Sequence, residues 1–152
     1  MTINYLSKFI TAFCAVIVIT FAPQALAQSY AVIVNEANSF SGDEAAMKQQ
    51  VKRLFLKQSS AWQGGTEVRA FDRAKGSPET TAFLSGVLGM DEAAVARHWL
   101  SLKQKTGETP PRNVSSSNML VKLVSKYEGG VGVVDGATAS ALPTGVRVLF
   151  NF

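Results

Sequence analysis

Tyr30-Ala31-Val32-Ile33-Val34-Asn35 is a six-residue run in which everything before the closing asparagine is apolar or aromatic. A strand exposed on one face would alternate apolar and polar residues. An unbroken β-branched run of this length predicts a strand covered on both faces. It is read as the first, central strand of a layered fold.

Downstream, strand-like and helix-like segments alternate. Ser41 with Glu44 three residues on has the form of a capping box, and the helix is predicted over 42–56 with Met47, Val51, Leu54 and Phe55 inward. A polar turn over 57–65 carries Trp62 and Gly64-Gly65, and a second strand is predicted over 67–71. Ser77-Pro78 reads as N-cap and first helical residue, and Gly89 as the C-terminal stop of a helix carrying Phe83, Leu84, Val87 and Leu88. Asp91 caps a helix over 92–103, with Val95, Trp99 and Leu102 inward. An irregular stretch over 104–114 contains Gly107 and Pro110-Pro111. Ser115-Ser116-Ser117 then cap a helix that Gly129-Gly130 closes, and strands follow over 131–134 and 146–150. Strands alternating with helices predict an α/β domain with a mostly parallel sheet flanked by helices.

Upstream, a short segment ending at Lys8 precedes an apolar run, Phe9 to Phe21, and then Ala25-Leu26-Ala27. That order is the one of a secretory signal peptide, and cleavage is expected after Ala27. The apolar run is shorter than the roughly 20 residues of a spanning helix, so residues 1–27 are read as a cleaved signal rather than an anchor. The expected product, residues 28–152, is one exported, periplasmic domain that does not span the membrane. Cys14, the single cysteine, would leave with the signal and take thiol, disulfide and cysteine-metal chemistry with it. The formal charge of +4 falls to +3 on loss of Lys8 and is scattered along the chain. With no run of like charges, no nucleic-acid partner is expected.

No cofactor or metal site is expected. His98 is the single histidine and reads as a surface or half-buried residue. No G-x-S-x-G elbow, P-loop or G-x-G-x-x-G opening a helix occurs, so no enzyme is predicted. Trp62 is expected to pin its loop onto the fold. The 104–114 loop, with Arg112 beside two prolines, is the better candidate for a ligand or partner edge.

The succession Ala31–Asn35, Val51-Lys52-Arg53-Leu54-Phe55-Leu56-Lys57, Trp62-Gln63-Gly64-Gly65, Asp72-Arg73, Gly76-Ser77 and Val87-Leu88-Gly89 resembles the phosphate-binding proteins of ABC transporters. Trp99, the Gly107–Pro111 loop and Glu128-Gly129-Gly130-Val131-Gly132-Val133-Val134 extend the likeness over nearly all of residues 28–152. The resemblance implies a single lobe of a type II periplasmic binding protein, since full-length members have two lobes. It also implies phosphate or a related oxyanion as ligand and a membrane transporter as partner. In the family a Ser-Gly-Thr stretch opening a helix holds phosphate with a nearby arginine and an acidic residue, so Arg73, Ser77, Thr80 and Asp72 are the implied ligand-binding residues here. At the second and third positions of that stretch this chain has Pro78, which has no N–H, and Glu79, which is negatively charged. Ser77-Pro78-Glu79 therefore also reads as a plain, well-made helix start. The alternative function is a periplasmic protein-interaction module, accessory to a membrane sensor or transporter, with a decayed anion site.

Overall fold

The structure is a computed structural model, and residues 28–152 are described; the predicted signal peptide and Cys14 lie outside them. Five strands form one sheet. In chain order the elements are β1 (Tyr30–Asn35), α1 (Glu44–Phe55), β2 (Arg69–Arg73), α2 (Pro78–Phe83) with a π-helical turn at Leu84–Leu88, α3 (Glu92–Thr106), β3 (Arg112–Val114), α4 (Ser117–Lys126), β4 (Gly130–Asp135), α5 (Gly136–Ala139) and β5 (Val146–Asn151). The strand order is β3-β2-β4-β1-β5. β2 pairs in parallel with β3 and β4, whereas β1 runs antiparallel to both β4 and β5. Four strands thus share one direction, and β1 runs against them.

All six residues of β1 are buried, and strand alternation divides them between two layers. Val32 and Val34 join the larger core with α1, α2 and Trp62, while Ala31 and Ile33 join a second core under α4. β4 repeats the division: Val131 and Val133 face the first core and Val134 the second. Helices therefore cover both faces of the sheet. The prediction of a strand buried on both sides holds, although β4 occupies the centre of the strand order and β1 lies beside it.

Local chemistry sets the helix boundaries. Asp43, not Ser41, caps α1, its Oδ1 accepting from the Ala46 N–H at 2.8 Å. Aspartate takes an orphan donor as serine would, and its charge also complements the helix dipole. Glu44 consequently stands at the first helical position and pairs with Lys48 at 2.7 Å instead of closing a capping box. Ser77 caps α2 with Pro78 in its first turn, Asp91 caps α3, and Gly89 takes the left-handed conformation (φ 64°) predicted for a helix stop. α3 runs three residues past its predicted end, to Thr106.

The second strand starts later than predicted because its first residues have other partners. Trp62 N–H donates to Thr66 O at 2.9 Å and Val68 N–H to Ser60 O at 3.0 Å, so 66–68 pair with the turn before them and sheet pairing begins at Arg69. Trp62 is buried as predicted, its indole N–H donating to Gly129 O at 3.2 Å. That carbonyl belongs to the glycine pair closing α4. A Cβ at Gly130 would stand 2.7 Å from Val124 O, so helix and strand meet there only without a side chain. Tyr30 and Phe152 exchange two backbone hydrogen bonds, at 3.1 and 2.9 Å, which bring the outer ends of β1 and β5 together.

Candidate functional site

The chain leaves β2 for β3 on one side and returns as β4 on the other. In open α/β sheets ligands bind outside the carboxyl ends of strands at such a switch. Here each of the three parallel strands runs directly into a helix start: Arg73 precedes α2, Val114 precedes α4, and Asp135 begins α5. One donor of each helix start is taken by the chain's own cap residue. Ser77 accepts from the Thr80 N–H, Ser116 from the Met119 N–H, and Asp135 from the Thr138 N–H. The Thr138 N–H, with help from the Thr138 hydroxyl, holds the Asp135 carboxyl below the usual value of 3.8.

Three of the four residues implied by the resemblance gather around the first turn of α2. Ser77 Oγ accepts from the Thr80 N–H at 3.2 Å and donates to Thr80 Oγ1 at 3.1 Å, and Thr80 Oγ1 donates to Ala74 O at 3.1 Å. Ser77 N–H donates to Ala74 O at 3.0 Å, and Pro78 has no N–H. Among the described residues, the Glu79 N–H alone remains free among the amides opening α2. An anion at this helix start would therefore meet one amide rather than several.

Arg73 is buried, and the chain supplies its counterion. Its guanidinium donates to Glu79 Oε1 at 3.2 Å and to Val114 O at 3.1 Å. The side chains of Arg73 and Glu79 are only 9% and 11% exposed, so the pair is shielded from water. Arg73 Nε has no partner and is buried, leaving one donor of the fork unused. The sequence reading of Glu79 as a dipole-complementing first-turn residue missed this contact. The signal was present: an arginine ending a strand and a glutamate opening the next helix are six residues apart across a tight loop.

Asp72 does not enter this network. Alternation along β2 sends its Cβ to the face opposite Arg73. Its Oδ1 accepts from the Arg73 N–H at 2.8 Å. Burial raises the Asp72 carboxyl above its ordinary 3.8, and that backbone hydrogen bond only partly offsets the rise. His98 is half-buried as predicted, with Nε2 3.0 Å from Leu56 O, a contact that joins α3 to the end of α1. Among the described residues no group of three His, Cys, Asp or Glu side chains could hold a metal. No helix among them is long and apolar enough to cross a membrane.

No family model and no curated protein matches the sequence. Solved structures do share the fold. An ABC-type phosphate transport receptor from Vibrio cholerae superposes with a TM-score of 0.58 at 16% identity, covering 80% of this chain and 45% of its own. PstS from Borrelia burgdorferi superposes with a TM-score of 0.60 at 8% identity, covering 80% of this chain and 46% of its own. The chain thus spans less than half the length of these proteins, and its fold is that of part of a phosphate-transport binding protein.

Proposed function

We propose that this chain is an exported, non-catalytic binding protein, built like one lobe of a phosphate-binding protein, that engages phosphate or a related oxyanion weakly for an ABC transporter. Arg73, Ser77 and Thr80 form the contact, with Asp72 on the adjoining strand position. The observation that carries the reading is the buried Arg73 fork with its unused Nε, placed at the strand-to-helix turn of a fold shared with phosphate-transport receptors. Affinity is low because an anion must compete with Glu79 for the guanidinium, and like charges about 4 Å apart repel by roughly 1 to 4 kcal/mol at solvent-like to surface-like dielectric.

Calorimetric titration with phosphate and with sulfate tests this. Wild type should bind at millimolar concentration, Ser77→Ala more weakly, and Glu79→Gln about tenfold more tightly, since the competing charge is removed while a hydrogen-bonding group remains. No heat from either wild type or Glu79→Gln would sink the oxyanion reading. The ion pair also supports a second reading, a periplasmic protein-interaction module whose anion site is closed by Glu79. Its test is crosslinking in the native envelope: one specific membrane partner, trapped equally well by wild type and Glu79→Gln, favours it.

A further inference from the structure

A second basic region lies at the opposite end of the same strands. β2 and β3 run in parallel, so Arg69 and Arg112 stand at their amino ends, away from the Arg73 and Val114 ends that adjoin the helix starts. Between them opens a cavity of about 300 Å³, at the lower limit of the roughly 300–1,000 Å³ of small-molecule sites. Its apolar lining includes the buried Leu54, Phe71 and Trp99, and Tyr127 adds a half-buried ring 6.0 Å from that of Phe71. Lys57, Arg69 and Arg112 contribute three cations to the same lining.

These cations are not consumed as Arg73 is. Lys57 meets Glu108, and Arg69 meets Glu67, each at 3.6 Å and each between substantially exposed side chains. Contacts of that kind are worth little and are readily exchanged. Arg112 makes no ion pair among the described residues, and the Arg69 guanidinium carbon lies 6.0 Å from the centre of the Tyr127 ring. Lys57 has a left-handed backbone (φ 58°), the only such non-glycine residue among those described. Glycine would hold that conformation without strain, whereas lysine brings a cation to the wall. Thr109, Pro111 and Arg112 come from the loop that the sequence marked as a ligand edge.

We propose that this cavity is a binding site for a small carboxylic acid with a flat apolar body, its carboxylate facing Arg112 and Arg69 and its body against Trp99 and Phe71. An inorganic anion would leave the apolar floor uncovered, and a neutral ring would leave the cations unmatched. A volume of about 300 Å³ suits a small ligand.

The two tryptophans give separate reporters, since Trp62 lies in a different part of the chain and lines a different cavity. The purified protein is titrated with indole-3-acetate, indole-3-acetamide and inorganic phosphate while the two indole N–H signals are followed by ¹H–¹⁵N NMR. The expected result is a saturable shift of the Trp99 signal with indole-3-acetate and a steady Trp62 signal. Binding of the neutral amide should be about tenfold weaker, as should binding of indole-3-acetate to Arg112→Gln or Arg69→Gln, the range expected for one charged hydrogen bond. Both arginines are exposed, so these variants keep the fold. Equal binding of acid and amide would overturn the proposal. So would a phosphate titration that reproduces the Trp99 shift, no saturation with indole-3-acetate, or an unchanged affinity in both arginine variants.

Discussion

The two ends of the parallel strands carry arginines in opposite circumstances. At the carboxyl end, Arg73 is buried, paired with Glu79 and bonded to Val114 O, and the adjoining helix starts are capped by their own side chains. At the amino end, Arg69 and Arg112 are exposed beside an apolar floor and hold weak partners or none. A cation desolvated and paired within the chain contributes to the fold's integrity. A cation at the rim of an apolar hollow keeps its charge for a ligand. The difference is set less by residue type than by which carboxylates the turn brings within reach.

The largest expected effect breaks the buried pair. Glu79→Ala strands the Arg73 charge in a shielded site and should cost about 3–5 kcal/mol of stability, read by urea unfolding. Replacing both partners, Arg73→Leu with Glu79→Leu, should recover most of that loss, because uncharged side chains need no counterion. A double variant as unstable as Glu79→Ala would mean that the bond to Val114 O, not the ion pair, dominates. Ser77→Ala removes the cap of α2 and should cost about 1 kcal/mol in the same measurement.

A smaller, pH-dependent effect belongs to Asp72. Burial raises its folded pKa above 3.8, so the folded state holds its proton more tightly than the unfolded chain does. This group's contribution therefore favours folding at acid pH and diminishes as pH rises through the raised value. Asp72→Asn should be more stable than wild type at pH 7, and the difference should vanish as pH falls below 3.8. A pH-independent difference would assign the effect to something other than ionisation. Asp135, with its lowered carboxyl, acts in the opposite sense: its contribution is present above 3.8 and is lost as pH falls through the lowered value. Smallest of all, Arg112→Gln should change stability by no more than about 0.5 kcal/mol. A large loss there would erase the contrast between the two ends.

What could be read from sequence was what short-range chemistry decides. The doubly buried β1, the Ser77 and Asp91 caps, the Gly89 stop and the burial of Trp62 each depend on a few adjacent residues or on one run of apolar side chains. What escaped depends on partners distant in the fold. The reversed direction of β1 follows from which strands flank it, and nothing inside Tyr30–Asn35 encodes that. β3 is three residues long on a sheet edge, too short to show a period, and its Pro110-Pro111 approach reads as loop. At the candidate site, the family pattern picked out Arg73, Ser77 and Thr80, which the fold does bring together at the start of α2. The Arg73–Glu79 bond was overlooked although the two residues are only six apart, because Glu79 reads equally well as a first-turn residue complementing the helix dipole.

The two hydrogen bonds between Tyr30 and Phe152 have a consequence for how the chain can be rewired. Because these residues already lie side by side, a short flexible link between them would close residues 30–152 into a ring with little rearrangement. A new opening at Gly64-Gly65 would fall in an exposed turn where added Cβ atoms meet nothing. Such a permutant would begin just before β2 with both basic ends of the strands intact, turning the polypeptide's order into a variable independent of its architecture.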